Sequence, residues 1–354
     1  MNGKKFAAPP NPERALTSQK IERPMKAVRK IITTIQKIVH RIAQWPSKTI
    51  HLIYSIDMIK RKANNDRLSS IKAHSHNLPA LENEETLLAH ALKDHGFCTT
   101  NSNLFEFFGA ERFQAASRDI YELMERNYLE TGRNIDITRL LSAKPALIDQ
   151  FETVFRAGLD IKLLRIVEHY LQLPVAYGGV DIFFTVADGL ERGARTWHKD
   201  SEDNPMVKVA VYLNDVGDDD GPLEILHLHQ TSSDFEKLRG FKQQKLVNLQ
   251  NEGKVKFEIT SFTGPVGTVI LCDTFKFYHR GKPATGKNRR ALFFNYYANR
   301  PLTPYFCPNP PFSLDKMKDL VSNLSTIQQD AALWRENLTR VDKMVTKRKP
   351  YLNL

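Results

Sequence analysis

The sequence predicts an α+β protein whose core is an antiparallel sandwich or barrel. Three observations lead there. Helix-period segments fill residues 82–173, short strand-like runs separated by Gly-, Asp- and Pro-rich turns follow Pro174, and no strand–helix alternation of the βαβ kind occurs. The chain's 354 residues suffice for one large domain with elaborations. No apolar run approaches the roughly 18 residues of a membrane-spanning helix. The three cysteines, Cys98, Cys272 and Cys307, are odd in number and far apart. That pattern argues against a disulfide framework or a Cys-based zinc site and makes a reducing, cytoplasmic location the expectation.

Taken in order, the elements separate an extension from a body. The net charge is +11, and residues 1–75 hold 16 Lys/Arg against 4 acids, so the rest of the chain is close to neutral. Within this basic extension (1–80), Val28, Ile31, Ile32, Ile35, Ile38, Val39 and Ile42 recur at helical spacing opposite Arg29, Lys30, Lys37 and Arg41. "TIHLIYSIDMIKRK" reads as a second short helix. A basic amphipathic segment over 26–62 can lie on an anionic membrane surface, dock on a partner or the protein's own body, or serve organelle targeting. No aromatic-plus-basic surface motif accompanies it, so nucleic acid is not an expected partner.

The body (81–354) opens with "ENEETLLAHALKDHGFCTT", a helix running into a short strand. "AERFQAASRDIYELMERNY" and "KPALIDQFETVFRAGLDIKLLRIVEHYLQL" read as long helices. The strand-like runs "GGVDIFFTVA", "VKVAVYLNDV", "GPLEILHLHQ", "KVKFEITSF", "GTVILCDTF" and "RALFFNYYA" place the β core at 176–300. Helical texture returns over 312–345.

Chemistry concentrates in this core. His198 and Asp200 stand two apart, and alternate residues of a strand share a face. His279 ends a strand-like run beginning at Gly267, and Arg290 follows eleven residues later. Two imidazoles and a carboxylate can occupy one triangular face of an octahedral iron(II), leaving three positions for a chelating cosubstrate and dioxygen. A 2-oxoglutarate cosubstrate would need a two-pronged cation for its distant carboxylate, which suits arginine. Arg289 adjoins Arg290. Strand alternation lets one of them face inward. Tyr296 shares the parity of Arg290 and is a candidate pocket residue. His227 and His229 read as a rim pair without metal, Trp197 and Tyr212 as packing, and "GDDDG" as a solvated turn.

"LKDHGFCTT", "WHKD", "VYLNDVGDDDGPLEIL" and "GTVILCDTFKFYHRGKPATGKNRRAL", in that order, resemble the phytanoyl-CoA dioxygenase-like family of iron(II)/2-oxoglutarate-dependent oxygenases. The resemblance implies a double-stranded β-helix (jelly-roll) core with flanking helices. It also implies iron ligation by His198, Asp200 and His279, 2-oxoglutarate binding by Arg290, and hydroxylation of an unactivated C–H bond with dioxygen. The substrate expected is a small molecule, and the basic extension tilts that expectation toward a lipid or glycolipid. Two alternatives stay open: a non-catalytic jelly-roll binding module, and a cupin-type iron enzyme independent of 2-oxoglutarate.

Overall fold

A computed structural model describes residues 56–132, 141, 144–232, 235, 238–308 and 310–345. The amphipathic helix expected over 28–42 lies outside the described residues. The chain divides into two compact units, Met1–Ile59 and Lys60–Leu354, and apart from residues 56–59 the described residues belong to the second.

Helix α1 spans Asp57–His74, well beyond the short helix expected to end near residue 62. It has no fully buried residue, yet it is tied to the body at two points. Arg67 pairs with Asp203, and His74 Nε2 lies 2.8 Å from Glu168 Oε1. Helix α2 (Asn83–His95) begins with a capping box between Glu82 and Glu85 and ends at Gly96, whose φ of 84° suits a glycine. Strand β1 (Phe97–Asn101) follows at once. Helices α3 (Glu111–Thr131), α4 (Ile148–Ala157) and α5 (Ile161–Leu171) complete the N-terminal layer. The Asp160 side chain caps α5 by accepting from the Lys162 and Leu163 amides.

The strands are β2 (Val175–Thr185), β3 (Trp197–His198), β4 (Val207–Tyr212), β5 (Leu223–Gln230) and β6 (Gly240–Phe241). Helix α6 (Gln243–Asn251) intervenes before β7 (Lys256–Phe262), β8 (Thr268–Cys272), β9 (Tyr278–Gly281) and β10 (Arg289–Ala298). Helices α7 (Leu314–Val321), α8 (Thr326–Ala332) and α9 (Arg340–Val345) close the described chain. The strands form two antiparallel five-stranded sheets, ordered β1-β8-β4-β10-β2 and β6-β3-β9-β5-β7.

Both faces of the first sheet are buried, which is why its strands read as nearly continuous apolar runs. Val207, Val209 and Val211 of β4, with Leu292, Phe294 and Tyr296 of β10, pack against the helices. The alternating set, Ala210, Tyr212, Ile270, Cys272, Ala291 and Phe293, meets Leu223, Ile225 and Phe262 of the second sheet. That inter-sheet layer is the inner space of the fold. The outer face of the second sheet is covered by α6 and its flanks, where Trp197, Leu226 and Tyr278 pack with Phe241, Leu246 and Leu249. Trp197 is a packing residue and also donates from Nε1 to Gln243 Oε1 at 2.8 Å.

One expected element is corrected. The run from Gly267 to His279 is not one strand, because it breaks after Cys272 and resumes as β9 in the opposite sheet. Asp273 makes the break by accepting from the amides of Phe275 and Lys276, both at 3.0 Å. The crossing carries His279 into the second sheet, opposite His198.

Candidate metal centre

His198 and His279 are cross-strand partners on β3 and β9, with ring centroids 4.3 Å apart. Asp200 lies just past β3, its amide bonded to Thr274 O at 3.1 Å. One ligand atom from each of His198, Asp200 and His279 can be chosen so that all lie within 4.8 Å of one another.

Backbone carbonyls settle how the rings face. His198 Nδ1 is 2.8 Å from Thr196 O, and His279 Nδ1 is 3.3 Å from Phe277 O. A carbonyl can only accept, so each neutral ring carries its proton on Nδ1 and presents the Nε2 lone pair. Those lone pairs point at the Asp200 carboxylate, 3.9 Å from Oδ1 for His198 and 3.5 Å from Oδ2 for His279. Three electron-pair donors therefore converge with no proton between them, an arrangement that is repulsive until a cation enters. Metal–donor bonds of about 2.0–2.2 Å put neighbouring donors roughly 3.0–3.5 Å apart, so the set fits a divalent ion with a small inward adjustment.

The charge states match. Burial pushes the His279 ring down to about 3, a shift that the Asp200 carboxylate opposes and His198 and Lys208 reinforce, so the ring is neutral at ordinary pH. Burial alone would raise the Asp200 carboxyl. The positive charge of Lys208, and that of His279 at the acid pH where its ring is protonated, outweigh it and hold the group well below the usual carboxylate range. Lys208 Nζ lies 2.8 Å from Asp200 Oδ2.

The arginines exchange places relative to the sequence reading. Arg290 points to the helical side of β10, where Nη2 pairs with Glu125 Oε2 of α3 at 2.5 Å. Arg289 has the parity of Ala291 and Phe293 and is buried in the inner space. Its guanidinium donates to Gly221 O and lies 3.4 Å from Thr185 Oγ1, with the Tyr212 hydroxyl also in reach. All these partners are neutral, and no carboxylate pairs with it among the described residues. Burial accordingly lowers its basicity. Space for the guanidinium exists because Gly281 has no side chain: a Cβ there would come within 2.9 Å of Arg289 Nη2. Tyr296 is likewise outside the inner space, packed among the helices with its hydroxyl donating to Gly158 O at 2.7 Å.

Gly281 follows His279 by two positions on β9, so the backbone position against which the Arg289 guanidinium packs lies about 6–7 Å along the same strand face from His279. His227 also faces inward, 2.9 Å from Thr260 Oγ1 and edge-on to Phe97 and Phe277. His229 is exposed, near Glu258. In the "GDDDG" turn, Asp220 accepts from the amides of Gly217 and Lys287, bracing the loop before β10. The sequence reading passed over Lys208, although it is a lone lysine in the apolar run of β4.

No protein-family model matches the sequence, and no curated protein matches it. Among solved structures, the chain is similar to AviO1 from Streptomyces viridochromogenes Tue57, with 14% identity, 62% of this chain and 96% of that one covered, and a TM-score of 0.41. It is similar to HygX from Streptomyces hygroscopicus, solved with nickel and 2-oxoglutarate bound, with 16% identity, 62% and 88% coverage and a TM-score of 0.37. It is also similar to EctD from S. alaskensis, solved with bound Fe, with 17% identity, 60% and 75% coverage and a TM-score of 0.38.

Proposed function

We propose that the chain is an iron(II)- and 2-oxoglutarate-dependent oxygenase of the phytanoyl-CoA dioxygenase-like kind, with a jelly-roll core, that hydroxylates an unactivated C–H bond of a small molecule. One observation carries the reading. A buried guanidinium without a carboxylate partner lies against Gly281, two residues along β9 from His279, one of three convergent metal donors. Burying a cation without a counter-charge is costly, and a ligand that brings a carboxylate to Arg289 while chelating the metal relieves it.

His198, Asp200 and His279 would hold iron(II). With 2-oxoglutarate and dioxygen, iron bound there would supply an oxidant able to cleave a C–H bond. The chain's own residues bind and orient. Thr196 and Phe277 carbonyls keep both Nε2 lone pairs on the metal side, and Arg289, seated over Gly281, fixes the far carboxylate of the cosubstrate by a two-pronged contact. Phe183 and Phe293, edge-on at 5.4 Å, give the inner face of β2 and β10 an apolar surface for substrate. Phe183 remains 39% exposed, as a residue at an open mouth would be. Among the described residues no helix is long and apolar enough to cross a membrane. A lipid or glycolipid substrate, met at a membrane surface through residues 26–62, belongs to the same proposal. Because α1 is bonded to the body, deleting residues 1–55 leaves Arg67 in place and should release the protein from anionic vesicles without abolishing iron binding; unchanged vesicle binding would refute the membrane part of the proposal.

The test is an anaerobic iron(II) titration with 2-oxoglutarate, following the visible band of the chelate in wild type, His279→Ala, Arg289→Ala and Arg290→Ala. The band should vanish without His279. Truncating one partner of a buried charge pair costs about 2–5 kcal/mol, so Arg289→Ala should need roughly 30-fold more 2-oxoglutarate or beyond, while Arg290→Ala stays within about threefold. Well-folded, iron-loaded wild type that shows no band would refute the oxygenase reading.

A further inference from the structure

Lys208 is the one cation in direct contact with the candidate donor set among the described residues. It belongs to the inward-facing parity of β4, with Ala210 and Tyr212, and its side chain is 18% exposed. Its Nζ is 2.8 Å from Oδ2 of Asp200, a carboxylate whose own side chain is 9% exposed. Asp181 and Glu202 act on the same ammonium from β2, which lies beyond β10 in the sheet, and from the loop after Asp200. Asp181 is itself fixed by Asn295 Nδ2 at 3.0 Å, so the lysine sits among anchored anions rather than on a mobile surface.

A cation this close to a metal ligand works against the metal's charge, so it needs a compensating role. A free aspartate beside an open metal face can offer both of its oxygens. The second oxygen would then take a position that a chelating keto acid or dioxygen requires. An ammonium held on Oδ2, the oxygen 3.5 Å from His279 Nε2, draws off that oxygen's charge and disfavours it as a second donor, while Oδ1 stays available 3.9 Å from His198 Nε2.

We propose that Lys208 is a positioning residue that occupies Oδ2 of Asp200, making the aspartate a one-oxygen ligand and keeping two adjacent metal positions open for a chelating cosubstrate. The inference rests on the oxygenase reading above and concerns how many positions the same centre leaves open.

The experiment uses the full chain as wild type, Lys208→Met and Lys208→Arg. Cobalt(II) alone is titrated first, by its visible spectrum. Then 2-oxoglutarate, which needs two positions, and azide, which needs one, are titrated separately onto the metal-loaded protein. Lys208→Met should bind cobalt(II) at least as tightly as wild type, because a neighbouring positive charge is gone. It should bind 2-oxoglutarate at least tenfold more weakly and azide within threefold of wild type. Lys208→Arg, which keeps a cation on Oδ2, should restore most of the 2-oxoglutarate affinity.

Equal weakening of 2-oxoglutarate and azide would overturn the proposal, since Lys208 would then only attract anions. So would 2-oxoglutarate affinity within threefold of wild type in Lys208→Met. If Lys208→Met does not fold, Lys208→Gln replaces it in the same titrations with the same criteria. Wild type that binds no cobalt(II), or binds it equally well without His279, overturns the metal centre itself and this inference with it. Wild type that binds cobalt(II) through His279 but shows no 2-oxoglutarate chelate refutes the oxygenase reading specifically.

Discussion

Replacing Arg67 with methionine tests whether α1 is part of the working fold. Arg67 reaches Asp203 with two parallel bonds, Nη1 to Oδ1 at 2.6 Å and Nη2 to Oδ2 at 2.9 Å. The pair is sequestered, with side chains 10% and 0% exposed. Asp203 also accepts from the amides of Ala298 at 3.0 Å and Leu302 at 2.9 Å, so this one carboxylate ties α1, the loop after Asp200 and the end of β10 together. Removing one member of a buried pair costs about 3–5 kcal/mol because the other charge is left behind. The two amides that remain on Asp203 place the expected loss at the lower end, about 3 kcal/mol. At about 2 °C per kcal/mol for a domain of this size, the melting temperature should fall by about 6 °C. The assay is urea unfolding of wild type, Arg67→Met, Asp203→Asn and the double variant, closing a cycle whose coupling should reach about 2 kcal/mol. Asp203 lies three residues after Asp200, so cobalt(II) affinity of Arg67→Met should also fall, by roughly threefold or more. A loss below about 1 kcal/mol would put the pair in the class of surface ion pairs and refute the argument.

Two other contacts give further expected outcomes. Tyr170 donates to Asp273 Oδ2 at 2.7 Å, and burial raises the Asp273 carboxyl while that bond, with the Lys276 and Phe275 amides, opposes the rise. A carboxyl whose folded pKa is raised contributes stability that is fully present below its unfolded pKa and is lost as pH rises through its folded pKa. Tyr170→Phe removes a bond that favours the ionised form, so its penalty, about 1–2 kcal/mol, should be larger at pH 7 than at pH 3.5; a penalty that grows toward acid would contradict this. Gly281→Ala would bring a Cβ within 2.9 Å of Arg289 Nη2. Such overpacking costs about 1–3 kcal/mol, so 2-oxoglutarate should bind roughly tenfold more weakly with cobalt(II) affinity unchanged, and equal loss of both would show general distortion instead.

What the sequence reveals and what it conceals have separate physical causes. The helical layer is legible because its segments keep an apolar stripe and carry real stop signals, as at Gly96 after α2. The strand-rich texture after Pro174 is equally legible from β-branched and aromatic runs between turns. His198, Asp200 and His279 stand out because imidazoles and a carboxylate at strand spacing are few, and the fold does bring them together.

The inward arginine was not legible, for a reason that applies to any strand buried on both faces. Alternation gives a phase only when one face is polar, and in β10 residues 291–298 are buried throughout, so the pattern marks no side. Counting eleven residues from His279 carries no phase either, because β9 and β10 lie in different sheets and the chain changes sheet between them. Two local signs do point to Arg289. The glycine two residues past His279 lacks the Cβ that would meet the Arg289 guanidinium, and Arg289 shares the parity of Ala291 and Phe293 on the inner face. Lys208 escaped notice differently. A lysine inside an apolar strand reads as a tolerated polar residue, and only the fold shows its ammonium on the second oxygen of Asp200. In both cases the informative feature is a charge placed on a buried face. A charge buried there must find a partner, and for Arg289 the described residues supply only neutral ones, which is why the missing partner is sought in a ligand.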